Sequence, residues 1–505
     1  MKRNKIKLLA VAALFALAVP FVGCSGDNDT STPAPVANEA VDTTETPEPP
    51  APVADAIEEA LETEEVEEAA APGLTGFHDP VDLGGRTIRI AGWWETLLPG
   101  TVDPEEPDPA VTGNYFIARQ MWDNARRIEQ EFNVNFDENV VPWEDLMPAI
   151  TTSVMAGDPI ADLFLLPGDG ILTASVGNLI TPLDSINLPG SDLLGARQAV
   201  SPTVDFGGHL WSMMQNGVES NGLAIGINLD IINAVGAQNP VDLFNAGQWN
   251  WDNMLEIMRL ATLDTTGDGL TDQFGIGGDW GDIVLALVGA NDGSTMTDDF
   301  QYNFDSPEIM EVFDFIETIA QERLWNYDGE SGDELSGWAR NGIIWQEGTS
   351  ALFPIRTWMV PEDTSVIPFE YAIVPFPAGP SNTSGATFLA PWGQGWTIPA
   401  GVYNPEEALM IFEEIFTWPG MDDLGMIREE GIEWIRTRFL TEEDVQRKVY
   451  IGDNVRLDIG ITVPEYSWIV GSFVSAFWNN EGTVAQVAEQ NRPVSQERLD
   501  NFFDR

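Results

Sequence analysis

Short apolar runs alternate with stretches of helical spacing from about residue 83 onwards, and this alternation restricts the fold more than any other feature. Arg86 to Ala91 (RTIRIA) reads as a strand ending at Gly92-Trp93-Trp94. Tyr115 to Phe132 sets Ile117, Met121, Ile128 and Phe132 broadly on one helical face. Asn133 to Val141 reads as a second strand, and Trp143 to Met155 as an amphipathic helix stopped by Gly157 and Pro159. Ala161 to Leu166 (ADLFLL) has the continuous apolar character of a buried parallel strand. Strands alternating with helices predict an α/β fold, a mostly parallel sheet covered on both faces. No period of about 20–50 residues recurs, which argues against a solenoid.

Cys24 is the only cysteine among 505 residues, so no intramolecular disulfide is available and the fold rests on its core. Lysine and arginine number 23 against 81 acids, a formal net charge of −58. So negative a field repels DNA, RNA and anionic lipid headgroups, which excludes a nucleic-acid partner. Lys448 is the only lysine beyond Lys7, and such a surface suits high salt or an acidic medium. Two histidines, His78 and His209, are too few for a His-rich zinc site.

The N-terminus carries an export signal: a basic start, Met1 to Lys7, then an uncharged apolar run from Leu8 to Val22. That run is shorter than the roughly 20 residues that span a bilayer as a helix. Phe21-Val22-Gly23-Cys24 resembles the lipobox of bacterial lipoproteins, with Phe21 where leucine is usual. The resemblance implies cleavage of residues 1–23, acylation of Cys24 and an extracytoplasmic protein lipid-anchored to the cell membrane. The alternatives are an ordinary signal peptide or an uncleaved anchor. Residues 24–75 are rich in Pro, Ala, Thr and Glu with no aromatic, the composition of a disordered acidic tether.

Further along, the chain resembles the extracellular solute-binding proteins of ABC importers, in the sugar-binding group that includes maltose-binding protein. The blocks that carry the likeness follow in order over most of residues 84–505. They begin with the strand Thr87 to Trp94 and Met155-Ala156-Gly157-Asp158-Pro159 leading into a strand. Gly222 to Asp230 (GLAIGINLD) stands where the family has an aromatic and a lysine, here Ile227 and Leu229. Gly247 to Met258, Gly348 to Trp358 (GTSALFPIRTW), Phe369 to Pro377, Pro391 to Ile398 and Asn404 to Phe416 complete the series. The resemblance implies a two-lobed, periplasmic-binding-protein-like fold with a hinge and an interlobe ligand cleft. The chain is expected to cross between lobes more than once, with 84–200 plus 390–435 in lobe one and 201–389 plus 436–505 in lobe two.

A sugar ring packs its C–H face on an aromatic while its hydroxyls seek acid, amide and arginine partners. Trp93-Trp94-Glu95 and Asp169 each follow a strand, where α/β folds bind ligands. Asp279-Trp280, Arg356, Trp358, Trp392 and Gln394 supply the remaining candidate walls, and the resemblance singles out Trp358 as a stacking residue. Core packing is the competing reading for each tryptophan, and a structural ion pair for Arg356.

Asp264, Thr266, Asp268, Leu270 and Asp272 match the start of an EF-hand calcium loop, with Gly269 at the sixth position. The twelfth position is Gly275 rather than glutamate, so a structural Ca²⁺ competes with a hydrogen-bonded Asx/Gly turn. Some relatives carry a similar truncated loop with calcium, with an acid where Gln273 stands here.

The expected function is a monomeric, non-catalytic receptor that takes a carbohydrate between its lobes and delivers it to ABC permease subunits, with no cofactor required. The alternatives are the same fold binding a polyol, polyamine or peptide, and an exported glycosidase. No Ser-His-Asp set, phosphate-cradling glycine loop or Cys-His pair is visible.

Overall fold

Two β-sheets organise the residues described by the structure, a computed structural model: 78–93, 115–191, 203–214, 222–297, 299–326, 347–361, 364–390, 394–415, 431–463 and 466–503. The expected signal peptide, Cys24, the tether, Trp94, Glu95 and Trp392 lie outside the described residues. The strands are β1 (Arg86–Gly92), β2 (Val134–Val140), β3 (Leu163–Leu166), β4 (Thr203–Phe206), β5 (His209–Met214), β6 (Ala224–Asn228) and β7 (Phe274–Gly277). They continue as β8 (Trp325–Asn326), β9 (Ser350–Ile355), β10 (Tyr371–Pro375), β11 (Phe388–Ala390), β12 (Gly395–Thr397) and β13 (Val455–Leu457). The helices are α1 (Tyr115–Glu131), α2 (Leu146–Met155), α3 (Gly168–Val176), α4 (Leu229–Val235), α5 (Pro240–Asn245), α6 (Trp251–Ala261) and α7 (Trp280–Gly289). Then come α8 (Pro307–Gln321), α9 (Pro405–Ile415), α10 (Glu442–Asp453), α11 (Ile459–Thr462), α12 (Tyr466–Asn479) and α13 (Val484–Phe502).

The first sheet has the order β2-β1-β3-β12-β5-β4 and the second β10-β6-β9-β7-β8, while β11 and β13 form a separate parallel pair. The chain fills the first sheet up to Met214. It then builds the second sheet, returns for β12 and α9, and leaves again for the second lobe. Both sheets are mixed rather than mostly parallel. The exceptions are mainly the strands made just after a crossing: β6 runs antiparallel to β9 and β10, and β12 antiparallel to β3 and β5.

Side-chain alternation along the strands covers both faces of each sheet. In β3, Leu163 and Leu165 pack with Ile128, Phe132, Leu409 and Phe412, whereas Phe164 and Leu166 pack with Leu146, Ile150 and Ile171. In the second sheet Ile225, Ile227 and Leu352 face one core, and Ala224, Phe353 and Ile355 the other. The fully buried runs of β3 and β9 are therefore those of strands buried on both faces. Leu172 of α3 belongs to the second lobe's core, so α3 is where the lobes touch.

The edge of the second sheet is closed by charge. Asp444 Oδ1 accepts from the Ile373 amide (2.9 Å), and Arg447 Nε donates to the Ile373 carbonyl (2.7 Å). The two side chains pair with each other at 2.6 Å, so α10 gives β10 the bonds a neighbouring strand would give. One residue on, Lys448 is fully buried and its Nζ donates to the Gly222 carbonyl.

Replacing Arg447 with methionine leaves Asp444 buried without its guanidinium and is expected to destabilise the protein by about 3–5 kcal/mol in urea unfolding. The double variant Asp444→Asn/Arg447→Met is expected to cost less than the sum of the single changes.

Candidate functional site

Strand ends place most of the expected residues. Trp93 follows β1, half-buried, and meets Trp143 after β2 edge-on, with ring centroids 5.0 Å apart. Asp169 opens α3 beyond the carboxyl end of β3, and Gln394 immediately precedes β12. These three mark one edge of the first sheet, because β12 runs antiparallel to β3. Asp169 Oδ1 accepts from the Gly170 amide at 2.9 Å, and burial raises its carboxyl above the ordinary carboxylate range.

In the second sheet β7 and β9 run parallel, and their carboxyl ends bring Asp279, Trp280, Arg356 and Trp358 to one edge. Asp279 caps α7, its Oδ1 accepting from the Asp282 amide at 3.1 Å. Arg356 Nη2 lies 2.5 Å from Asp282 Oδ1. Asp279, Asp282 and Arg356 thus form one electrostatic group. Burial, and then the neighbouring Asp282, push Asp279 up to about 6 against the pull of Arg356. Trp280 packs against Gly471 of α12, where a Cβ would lie 3.4 Å from the ring. Trp358 instead stands 47% exposed in the single turn Thr357–Met359 that ends β9.

Two residues of these edges are absent from the expected set. Trp143 carries the same signal that singled out Trp93, a tryptophan just past a strand. Asp282 is legible only as the acid three residues after a helix-capping aspartate. Trp93 and Asp169 belong to the other sheet from the Asp279 group.

The expected ion loop is closed by its own hydrogen bonds. Asp264 accepts from the Gly267 and Gly269 amides at 2.6 and 2.7 Å, and from Thr266 Oγ1 at 3.3 Å. Asp272 accepts from the Thr265 and Thr266 amides, and Asp268 from the Leu270 amide. The bonds from Gly269 to Asp264 and from Thr265 to Asp272 are the main causes that hold both carboxyls below their ordinary range. Gly267 and Gly269 adopt φ of 76° and 90°, which a side chain would resist. Among the described residues no group of three His, Cys, Asp or Glu is arranged to hold a metal ion.

A carboxyl raised from 3.8 to about 6 binds its proton more tightly folded than unfolded, so its contribution to stability falls as pH rises across that window. Asp279→Asn keeps the cap and removes the charge. The variant is expected to match the parent near pH 4 and exceed it above pH 6 by about 1–3 kcal/mol, read from unfolding curves at both pH values.

The sequence model of the bacterial extracellular solute-binding proteins matches residues 123–413. No curated protein sequence matches the chain. Among solved structures, the maltose/maltodextrin-binding domain MalE of Bdellovibrio bacteriovorus, bound to maltotriose, aligns with a TM-score of 0.52 at 14% identity. That alignment covers 83% of this chain and 100% of the other. An ABC substrate-binding protein of Listeria monocytogenes in complex with cycloalternan gives 0.53 at 13%, covering 83% and 98%. The cyclic alpha-maltosyl-1,6-maltose binding protein of Arthrobacter globiformis gives 0.54 at 13%, covering 83% and 100%. These likenesses show the two-lobed fold. The family match spans more than half of the 505 residues. The chain belongs to the bacterial extracellular solute-binding proteins, a family of extracytoplasmic binding proteins rather than enzymes.

Proposed function

We propose that the chain is a membrane-tethered receptor that takes a sugar or oligosaccharide between its lobes and hands it to an ABC permease. The observation that carries this reading is the chemistry at the strand ends. Exposed Trp358 stands two residues from the Arg356–Asp282 pair, and Trp93 and Trp143 form an aromatic corner at the edge of the other sheet. Aromatic faces beside paired charges suit a ring with an apolar face and a hydroxylated rim. Neighbours of the same fold hold maltotriose and cycloalternan, which supports an oligosaccharide. Closure of the lobes about the ligand is the signal a permease would read. Acylation of Cys24 would supply the tether.

One observation favours a second reading. Arg356 is engaged by Asp282, and Asp279 beside them is a further acid, so the group is net negative once Asp279 ionises. A polyamine would be drawn to it above about pH 6.

Titration calorimetry with maltotriose and with spermidine separates the readings. Heat from maltotriose and none from spermidine is the expected outcome, with Trp358→Ala weakening binding about tenfold through lost stacking. Binding of spermidine alone would replace the sugar, and silence from both at millimolar concentration would overturn the two readings together. Cys24→Ser is expected to move the protein from the detergent phase to the aqueous phase in Triton X-114 partition.

A further inference from the structure

Acid accumulates where the tryptophans stand. β1 and β3 run side by side and parallel, so Trp93 and Asp169 leave the first sheet at the same edge. Asp169 is exposed there, and its side chain accepts from backbone amides at the start of α3, that of Gly170 at 2.9 Å. Among the described residues no cation pairs with it. At the edge of the second sheet, Asp279 and Asp282 stand with the Arg356 guanidinium, and exposed Trp358 is two residues further on. Over both edges, the described residues named here set three carboxylates against one arginine.

Other cations of the chain are engaged elsewhere. Lys448 is fully buried against the Gly222 carbonyl. Arg86 and Arg89 are held by Asp162, Arg127 by Glu414 and Arg447 by Asp444. Leu172 of α3 and Ile283 of α7 belong to one core, and each lies about one helical turn beyond its acid, Asp169 or Asp279. The acids therefore open helices on the two sides of the lobe junction.

The hydroxyls of a neutral sugar can donate to these carboxylates but leave their charge in place. Closure of the lobes withdraws that charge from water, where like charges repel more strongly. An ammonium on the ligand offsets the charge and supplies up to three charge-assisted donors. A linear polyamine carries the same charge but has no ring for the tryptophans to stack on.

We propose that the sugar this receptor prefers bears a protonated amine, its rings packing on the tryptophans of the two edges and its ammonium met by Asp169 and the Asp279–Asp282 carboxylates. The proposal rests on the sugar-receptor reading and narrows it to one class of ligand.

Titration calorimetry on the full chain at about pH 6.5 and low salt compares a glucosamine trimer, its fully N-acetylated form and maltotriose. N-acetylation keeps the rings and removes the charge. The glucosamine trimer is expected to bind about tenfold or more tightly than the N-acetylated one, and the ratio to shrink as salt is added. Asp169→Asn, which keeps the side chain's shape, is expected to cut that ratio several-fold, and Asp279→Asn, which keeps the α7 cap, to lower it as well. A glucosamine trimer that binds no tighter than the neutral sugars would overturn this proposal and leave the receptor reading standing. So would a preference untouched in both variants. Spermidine binding as tightly as the glucosamine trimer would overturn it in favour of charge alone. Silence from all three saccharides would overturn the sugar reading together with it.

Discussion

A carboxylate withdrawn from water costs several kcal/mol unless a cation and further donors meet it, and this chain sets 81 acids against 23 basic side chains. Several of its arginines meet such carboxylates. Asp162, 3% exposed, is met by Arg86 and Arg89; Glu414 by Arg127; Asp282 by Arg356; Asp444 by Arg447. Most of these pairs join distant parts of the sequence. Arg86 links β1 to the approach of β3 and, through Glu407, to α9; Arg356 links the end of β9 to α7. The ties sit where elements must register: beside a strand, at a sheet edge, at a helix end. Acids left on the surface repel one another through water, where salt screens them.

Much of the fold is legible in the sequence because it follows from local periodicity. The expected strand Arg86–Ala91 becomes Arg86–Gly92, and the expected helix Tyr115–Phe132 becomes Tyr115–Glu131. Where local reading falls short, a long-range bond has intervened. The expected strand Ala161–Leu166 begins only at Leu163, because Asp162 turns its carboxylate to the Arg89 amide and the Arg86 guanidinium. The run Gly222–Asp230 is strand only to Asn228, whose side chain caps α4 by accepting from the Ile231 amide. Trp143–Met155 splits into a tight turn and then α2, with Trp143 left 56% exposed. The antiparallel sense of β6 and β12 has no local signature at all, since it depends on where the chain re-enters each sheet.

The candidate site shows the same division. Tryptophans after strand ends were readable, because a strand end is a local event and the sheet edge then collects them. The pairing of Arg356 with Asp282 was not, since 74 residues separate them and nothing in either segment names the other. That pairing changes the chemistry of the edge: the arginine contributes an engaged, directional donor, and the net charge is left to Asp279. The edge is thereby sensitive to pH in the range where Asp279 titrates, while the aromatic surface beside it is not.

The burial of Lys448 reaches beyond stability. Beyond residue 7 it is the only lysine, and it is closed to solvent with its Nζ turned to the Gly222 carbonyl. The folded domain therefore offers no accessible primary amine on its side chains. Succinimidyl esters and isothiocyanates find no accessible side-chain amine there, and lysine-acetylating or ubiquitin-like conjugation chemistry finds no acceptor. The open-chain aldehyde of a reducing sugar likewise meets no accessible side-chain amine on the folded domain to glycate.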